Sequence, residues 1–127
     1  MKSIVNTSLA PAAIGPYSQA VRAGDFLFCS GQIPIDVATG AIVVGGIREQ
    51  TKCVMDNLRA VLEAGGASLS CVVKATIFLV DLGDFGAVND VYGSYFPSEP
   101  PARACVQVSK LPRDSRVEIE AVAYIGV

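Results

Sequence analysis

The residues best suited to chemistry in this chain lie in the stretch from 101 to 108. It begins behind two prolines and then alternates: Arg103, Cys105 and Gln107 occupy one set of positions, and alanines and valines occupy the other. Because side chains alternate across a β-strand, the pattern predicts a strand whose alanine and valine face packs on the core. The other face would then present a guanidinium group beside a thiol.

A second alternating stretch, residues 116–122, places Glu118 and Glu120 on one face of another predicted strand. Arginine is the side chain best suited to binding a carboxylate through two parallel hydrogen bonds. The two stretches together predict a site that holds a small acid through Arg103 and acts on it with a nearby carboxylate. A purely structural alternative remains open, in which Glu118 is the anion that neutralises Arg103.

Three further positions are candidates for the same site. Tyr17 directly follows Gly15 and Pro16, so its phenol either pins a rigid turn or is held by that turn over a pocket. Ser30 and Gly31 end an apolar stretch, where freed backbone groups can bind a ligand. Cys105 is expected to be an inert thiol, because the sequence has no histidine to activate it.

The absence of histidine from the 127 residues excludes several classes of site. Ser-His-Asp and Cys-His nucleophiles, histidine metal sites and imidazole acid–base chemistry all require that residue. The net charge of −2, with no block of lysine and arginine, gives no electrostatic footprint for nucleic acid. Chemistry must therefore use carboxylates, phenols, hydroxyls, thiols, cations, backbone groups and water.

Composition and length predict one soluble domain over residues 1–127. No apolar run approaches the ~18 residues that span a bilayer, and the first residues do not resemble a signal peptide, so we expect a cytoplasmic protein. The four cysteines are widely spaced and predict free thiols without a metal site. An apolar content of 51% is high for this size and predicts a homo-oligomer over the alternative of a monomer with an unusually apolar core.

The predicted elements alternate in a way that indicates a two-layer α+β sandwich. Each helix lies between two strands, which predicts parallel crossovers within a mixed sheet, and the chain ends predict antiparallel hairpins. Both helices then cover one sheet face, and the other face needs a partner subunit. The predicted elements are strands at residues 17–22 and 26–30, a helix at 47–64, a strand at 71–80, a helix from Asp81 or Asp84 to about Phe96, and strands at 101–108 and 116–125.

Taken together, several stretches resemble the RidA (YjgF-type) family of enamine/imine deaminases, in order and across essentially the whole chain. They are residues 14–20 (IGPYSQA), 30–34 (SGQIP), 89–92 (NDVY) with Tyr95-Phe96, 101–108 (PARACVQV), Leu111-Pro112 and 117–121 (VEIEA). The resemblance implies a homotrimer of the chorismate-mutase-like α+β fold, with the sheets around a central barrel and a pocket between each pair of subunits.

The resemblance also assigns roles within that pocket. Arg103 is implied to bind the substrate carboxylate, and Glu118 to position and polarise water, with Glu120 outside the pocket. The family's tyrosine falls on Tyr17. The remaining implied substrate-binding positions are Ser30, Gly31, Cys105, which would line the pocket, and Asn89 in the second helix.

The implied reaction hydrolyses 2-aminoacrylate or a similar enamine, through its imine, to a 2-keto acid and ammonia, without metal or cofactor. Three alternatives stay open. The first is a non-catalytic trimer that senses 2-keto acids, and the second is a pathway-specific deaminase, for example of 2-aminomuconate. The third is RNA cleavage or inhibition of translation, activities of some relatives, which the acidic, histidine-free composition disfavours.

Overall fold

The computed structural model describes residues 1–126 and consists of a six-stranded β-sheet with two α-helices. Single 3₁₀ turns precede the fourth strand, the second helix and the last strand. In chain order the elements are β1 (Lys2–Val5), β2 (Ala20–Ala23), β3 (Phe26–Gln32), α1 (Ile47–Ala64), β4 (Val72–Leu79), α2 (Phe85–Ser94), β5 (Ala102–Gln107) and β6 (Val117–Tyr124).

The strands are arranged in the order β1-β2-β3-β6-β4-β5. The β4–β5 pair, connected through α2, is parallel, and every other neighbouring pair is antiparallel. The helices pack on one face, where the inward side chains of β3, β4 and β6 form the core with α1. The predicted fold class, a two-layer α+β sandwich with a mixed sheet, is confirmed.

Two details of the predicted topology are wrong. The sequence did not indicate β1, a four-residue edge strand whose side chains are largely exposed and therefore lack an apolar alternation. The last strand does not form a hairpin with the Arg103 strand; it inserts between β3 and β4, so only one of the two helical crossovers joins neighbouring strands. The inward side chains of β6 are all buried, and such a strand belongs at the centre of a sheet.

Helix α1 has the bounds that the sequence predicts, Ile47 to Ala64. At its start the Glu49 carboxylate accepts a hydrogen bond from the Gly46 N–H at 2.7 Å, which satisfies a backbone donor that the helix leaves free. At its end Gly66 adopts a φ of +83°, which favours glycine. Within residues 1–126, no helix combines the length and apolarity needed to cross a bilayer.

The orientation of β5 reverses the prediction. Cys105 pairs with the fully buried Ile77 and packs against the core, so the Arg103 face is the one turned towards the helices. Val106 pairs with Phe78 on the other face and is exposed. The alternation predicted the strand correctly but not the face that turns towards the helices. Both faces of this edge strand carry some apolar surface, and α2 covers the Arg103 face through polar contacts.

The sheet face opposite the helices is open in the single chain and carries large apolar side chains. Phe26 and Phe28 have ring centroids 6.4 Å apart, Tyr124 packs edge-on against Phe26 at 5.3 Å, and all three rings are more than 40% exposed. An apolar cluster of this kind on a soluble protein is typical of an interaction surface. We call this side of the sheet, from Phe28 across to Val106, the open face.

Candidate active site

Apart from Cys105, which lines neither, the predicted site residues fall into two clefts of one chain. The first, which we call the Glu118 cleft, has a volume of about 500 Å³ and includes Tyr17, Ser30, Gly31 and Glu118 in its lining. The second, the Arg103 cleft, has a volume of about 460 Å³ and is formed by the C-terminal half of α2 and the start of β5. Its lining residues are Asn89, Tyr92, Gly93, Phe96, Pro100, Pro101 and Arg103.

A register shift between β3 and β6 shapes the Glu118 cleft. Cys29 lies opposite Ala121 and Gln32 lies opposite Ile119, so β3 uses one more residue than β6 over this interval. The extra residue falls in the Ser30–Gly31 step and makes a β-bulge. Bulges bend a strand and redirect its side chains, and they are common beside active sites.

Gly31 leaves the space that the Glu118 carboxylate occupies. A Cβ atom added to Gly31 would collide with Glu118 Oε2 and lie 2.9 Å from its Cδ. Only glycine therefore permits the carboxylate to lie against the bulged backbone. The sequence pointed to Gly31 for its backbone groups, whereas the structure gives it this second, steric reason.

The Glu118 carboxylate is half-buried on the open-face side of β6, opposite Phe78. Burial, and then the negative charge of Glu120, raise the pKa of Glu118 above its ordinary value. No cation of residues 1–126 forms an ion pair with it. A carboxylate with a raised pKa is better able to accept a proton near neutral pH than an ordinary glutamate.

Tyr17 and Ser30 are fixed on the wall of this cleft by local hydrogen bonds. The Ser30 hydroxyl donates to the Ser18 carbonyl oxygen at 2.6 Å. The Tyr17 hydroxyl accepts from the Ile14 N–H at 3.3 Å, which leaves its own proton free to donate to a ligand. Both interpretations of Tyr17 therefore hold: the phenol pins the Gly15 turn and also faces the cleft.

Gln19 is a structural residue of the cleft that the sequence did not single out. It is buried, and its amide bridges the preceding loop: Oε1 accepts from the Thr7 N–H at 2.7 Å, and Nε2 donates to the Pro11 carbonyl oxygen at 2.8 Å. These bonds hold the proline-containing loop that forms one wall of the cleft. No local signal marks it in the sequence, because it lies between Ser18 and Ala20, just before β2 begins.

Arg103 is held entirely by neutral groups of α2. Its Nη1 donates to Asn89 Oδ1 at 2.7 Å, and its guanidinium carbon lies 5.4 Å from the ring centroid of Phe85 and 5.1 Å from that of Tyr92. Among residues 1–126, no carboxylate pairs with Arg103. The guanidinium therefore keeps its charge and most of its donors available for an anion.

Cys105 lies two residues beyond Arg103 on the same face and is partly buried. Burial raises the pKa of its thiol, and the charge of Arg103 opposes this more weakly. The thiol thus stays protonated at neutral pH and is a poor nucleophile.

The chain does not bring Arg103 and Glu118 together, because they project from opposite faces of the sheet. Arg103 pairs with Ala75, whose neighbour on β6 is the buried Ala121, whereas Glu118 pairs with Phe78 on the open-face side. The alternative in which Glu118 neutralises Arg103 within one chain is therefore wrong. A site that uses both residues has to take them from two chains.

The sequence and the fold of this chain are both similar to those of known proteins. Residues 7–125 match the family model described as endoribonuclease L-PSP. The chain is 48% identical to a mouse protein named 2-iminobutanoate/2-iminopropanoate deaminase, over 99% of this chain and 93% of that protein. A crystal structure from Thermotoga maritima is 53% identical, with a TM-score of 0.97 over the full length of both chains. The structure of Escherichia coli TdcF with bound serine is 41% identical, with a TM-score of 0.94 over 98% of this chain and 99% of that one.

The family match, the identities and the shared fold extend over nearly all of the chain, including both clefts. This protein belongs to the endoribonuclease L-PSP family, which is also called the RidA or YjgF family.

Proposed function

We propose that this protein is an enamine/imine deaminase that hydrolyses 2-aminoacrylate-type intermediates of amino-acid dehydration to 2-keto acids and ammonia. The observation that carries the proposal is the Arg103 guanidinium, held by neutral partners and therefore ready to bind a substrate carboxylate. The deaminase name of the mouse relative supports the same reaction class.

We further propose that the protein acts as a homotrimer in which the open face meets neighbouring subunits. The exposed rings of Phe26, Phe28 and Tyr124 support this, since burying such a surface stabilises an assembly. In that arrangement Arg103 of one subunit and Glu118 of its neighbour contribute to one pocket. Each of these two residues would then face a group of opposite charge from the neighbouring subunit.

The reaction begins with the enamine in equilibrium with its imine, whose C2 carbon is electrophilic. Arg103 binds the carboxylate on C2 through two hydrogen bonds and fixes the orientation of the imine. Glu118 accepts a proton from a water molecule as the water oxygen forms a bond to C2, which gives a tetrahedral carbinolamine.

In the second half of the reaction, Glu118 returns that proton to the nitrogen. The C–N bond breaks as the C2 hydroxyl passes its remaining proton to the nitrogen and becomes the keto group, so ammonia and a 2-keto acid leave together. In this proposal Tyr17 donates a hydrogen bond to the oxygen that develops negative charge, which is supported by its free hydroxyl proton. The substrate and water are the only reactants, so the reaction needs no metal or cofactor.

The description of the family also names an endoribonuclease activity. An acidic chain with no histidine lacks both the positive surface that binds phosphate backbones and the usual acid–base group of RNA cleavage. These properties favour the deaminase over the nuclease for this chain.

The proposal is tested by following enamine decay in a coupled assay at neutral pH. A pyridoxal-phosphate dehydratase releases 2-aminoacrylate from serine, and its loss is recorded with no added protein, with this protein and with Arg103→Ala. We expect the parent protein to accelerate decay and Arg103→Ala, with an unchanged circular dichroism spectrum, to lose the acceleration. No acceleration by a folded parent protein would overturn the proposal; retained binding of 2-ketobutyrate would then favour the sensor alternative.

A further inference from the structure

One face of helix α2 forms the whole support of the Arg103 side chain. Phe85, Asn89 and Tyr92 are four and three residues apart, so they lie on one side of the helix. Asn89 takes one N–H of the guanidinium group, and the two rings lie within 5.4 Å of its central carbon. The orientation of the arginine is thus determined by one helix.

Tyr92 differs from the other two supports because it is only 4% exposed. Its ring packs against that of Phe96 with centroids 4.8 Å apart, which limits its freedom to turn. Its hydroxyl is buried and has no hydrogen-bond partner among residues 1–126. The hydroxyl therefore makes no hydrogen bond that would stabilise the fold, whereas the ring is a fixed surface beside the guanidinium.

We propose that Tyr92 is a positioning residue for substrate binding, and that its ring, not its hydroxyl, fixes the plane of the Arg103 guanidinium. With the plane fixed by the ring and Nη1 bonded to Asn89, the edge formed by Nε and Nη2 stays free for both oxygens of a carboxylate. The consequence for catalysis rests on the proposed deaminase function; the consequence for the mobility of Arg103 does not.

The chain contains a matched arginine–tyrosine pair outside the two clefts. The Arg59 guanidinium carbon lies 5.4 Å from the ring centroid of Tyr95, a distance close to that of the Arg103 pair. There, however, Asp56 accepts hydrogen bonds from both Arg59, at 2.9 Å, and the Tyr95 hydroxyl, at 2.7 Å. Tyr95→Leu is therefore a control that removes a ring beneath an arginine without affecting Arg103.

The first experiment measures the mobility of the Arg103 Nε–H by nitrogen-15 NMR relaxation in the ligand-free protein. Tyr92→Phe retains the ring and is expected to keep an order parameter near that of the parent. Replacing Tyr92 with 3,4,5-trifluorophenylalanine keeps the shape but withdraws the negative charge of the ring face, and Tyr92→Leu removes the ring. We expect the order parameter to fall in that order, to below about 0.6 for Tyr92→Leu.

The second experiment measures steady-state kinetics on the same proteins. We expect KM to rise about tenfold for Tyr92→Leu with a smaller change in kcat, because the carboxylate meets a less well ordered arginine. Tyr92→Phe should restore KM to within about twofold of the parent, and Tyr95→Leu should leave it unchanged.

Two results would overturn the proposal. One is an Arg103 order parameter that does not respond to trifluorophenylalanine or leucine at position 92. The other is a loss of affinity in Tyr92→Phe equal to that in Tyr92→Leu, which would assign the effect to the hydroxyl. The fluorinated variant keeps the core volume, so it tests the proposal even if Tyr92→Leu fails to fold. Because NMR mobility needs no substrate, its result stands whether or not the protein is a deaminase.

Discussion

The Glu118 cleft and the Arg103 cleft carry unpaired charges of opposite sign on opposite faces of one sheet. Glu118 forms no ion pair within residues 1–126, although Arg113 also lines its cleft, and burial with the charge of Glu120 raises its pKa. Arg103 forms no ion pair within residues 1–126 and is supported by neutral side chains. Each cleft thus contains half of the chemistry that carboxylate recognition and proton transfer require.

The two arginines of α1, and the one directly before β6, show that other arginines of the chain are paired with carboxylates. Arg48, Arg59 and Arg116 each pair with an aspartate at 2.9 to 3.0 Å. A paired arginine has already satisfied its charge and has little to offer a ligand, whereas Arg103 is exposed in the single chain and keeps its charge available to an anion. Arg22 and Arg113 also form no ion pair within residues 1–126, but each donates to a backbone carbonyl oxygen. Arg103 is distinguished because it lacks an ion pair while an amide and two aromatic rings support its guanidinium.

The largest effect is expected from removing the charge of the Glu118 cleft. Glu118→Gln keeps the size of the side chain but cannot accept a proton, so kcat should fall by about a hundredfold or more. Glu120→Gln is the matched control: it lies two residues along the same strand and should retain most of the parent kcat. The assay is the coupled enamine decay. Equal losses of kcat in the two variants would contradict a catalytic role that is specific to Glu118.

A smaller loss is expected when the bulge beside Glu118 is filled. Gly31→Ala adds a Cβ at the position of the Glu118 carboxylate, which then has to move. We expect kcat/KM to fall by about tenfold, because small displacements of catalytic groups are costly, while the circular dichroism spectrum remains unchanged. Gly86→Ala is a suitable control, since a Cβ there meets no atom within 4 Å. Parent-like activity of Gly31→Ala would show that the close approach is unimportant.

The dependence of the rate on pH should respond to Glu120. Glu118 has to be ionised to accept a proton, so the rate rises with pH through its pKa. The charge of Glu120 helps to raise that pKa, so Glu120→Gln should shift the acid limb of the kcat/KM profile to lower pH. A shift to higher pH would contradict the assignment of this limb to Glu118.

The smallest effect is expected at Cys105. Its thiol has a pKa raised by burial and takes no part in proton or group transfer in the proposed reaction. Cys105→Ala should therefore keep kcat within about threefold of the parent, with any loss arising from the small cavity. A loss as large as that of Glu118→Gln would show that the sulfur takes part in the reaction.

The elements of this fold were largely predictable from local patterns, and their pairing was not. Helix α1 was predicted to the residue because a helical periodicity is bounded by a glycine pair after Ala64. The position of β6 depends on contacts between residues far apart in the chain, which alternation cannot reveal. The face of β5 was predicted the wrong way round because its small side chains are compatible with burial on either side.

The candidate site was predictable as a set of residues but not as a geometry. Arginine, glutamate, tyrosine and the serine–glycine step were recognisable from chemistry, or from resemblance to a family. Their division between two clefts follows from strand order and from which way each strand faces. Tyr92 entered only as part of the resembling stretch 89–92, because nothing in a sequence shows that a buried ring lies beside a guanidinium.

The most direct test of the account is complementation between two inactive variants. Arg103→Ala and Glu118→Gln subunits carrying different tags are co-expressed, and assemblies containing both are purified. If each pocket takes Arg103 and Glu118 from different subunits, every mixed trimer has both intact groups in one of its three pockets, so about one third of the parent activity should return. Hybrid assemblies that remain as inactive as either parent variant would contradict the account.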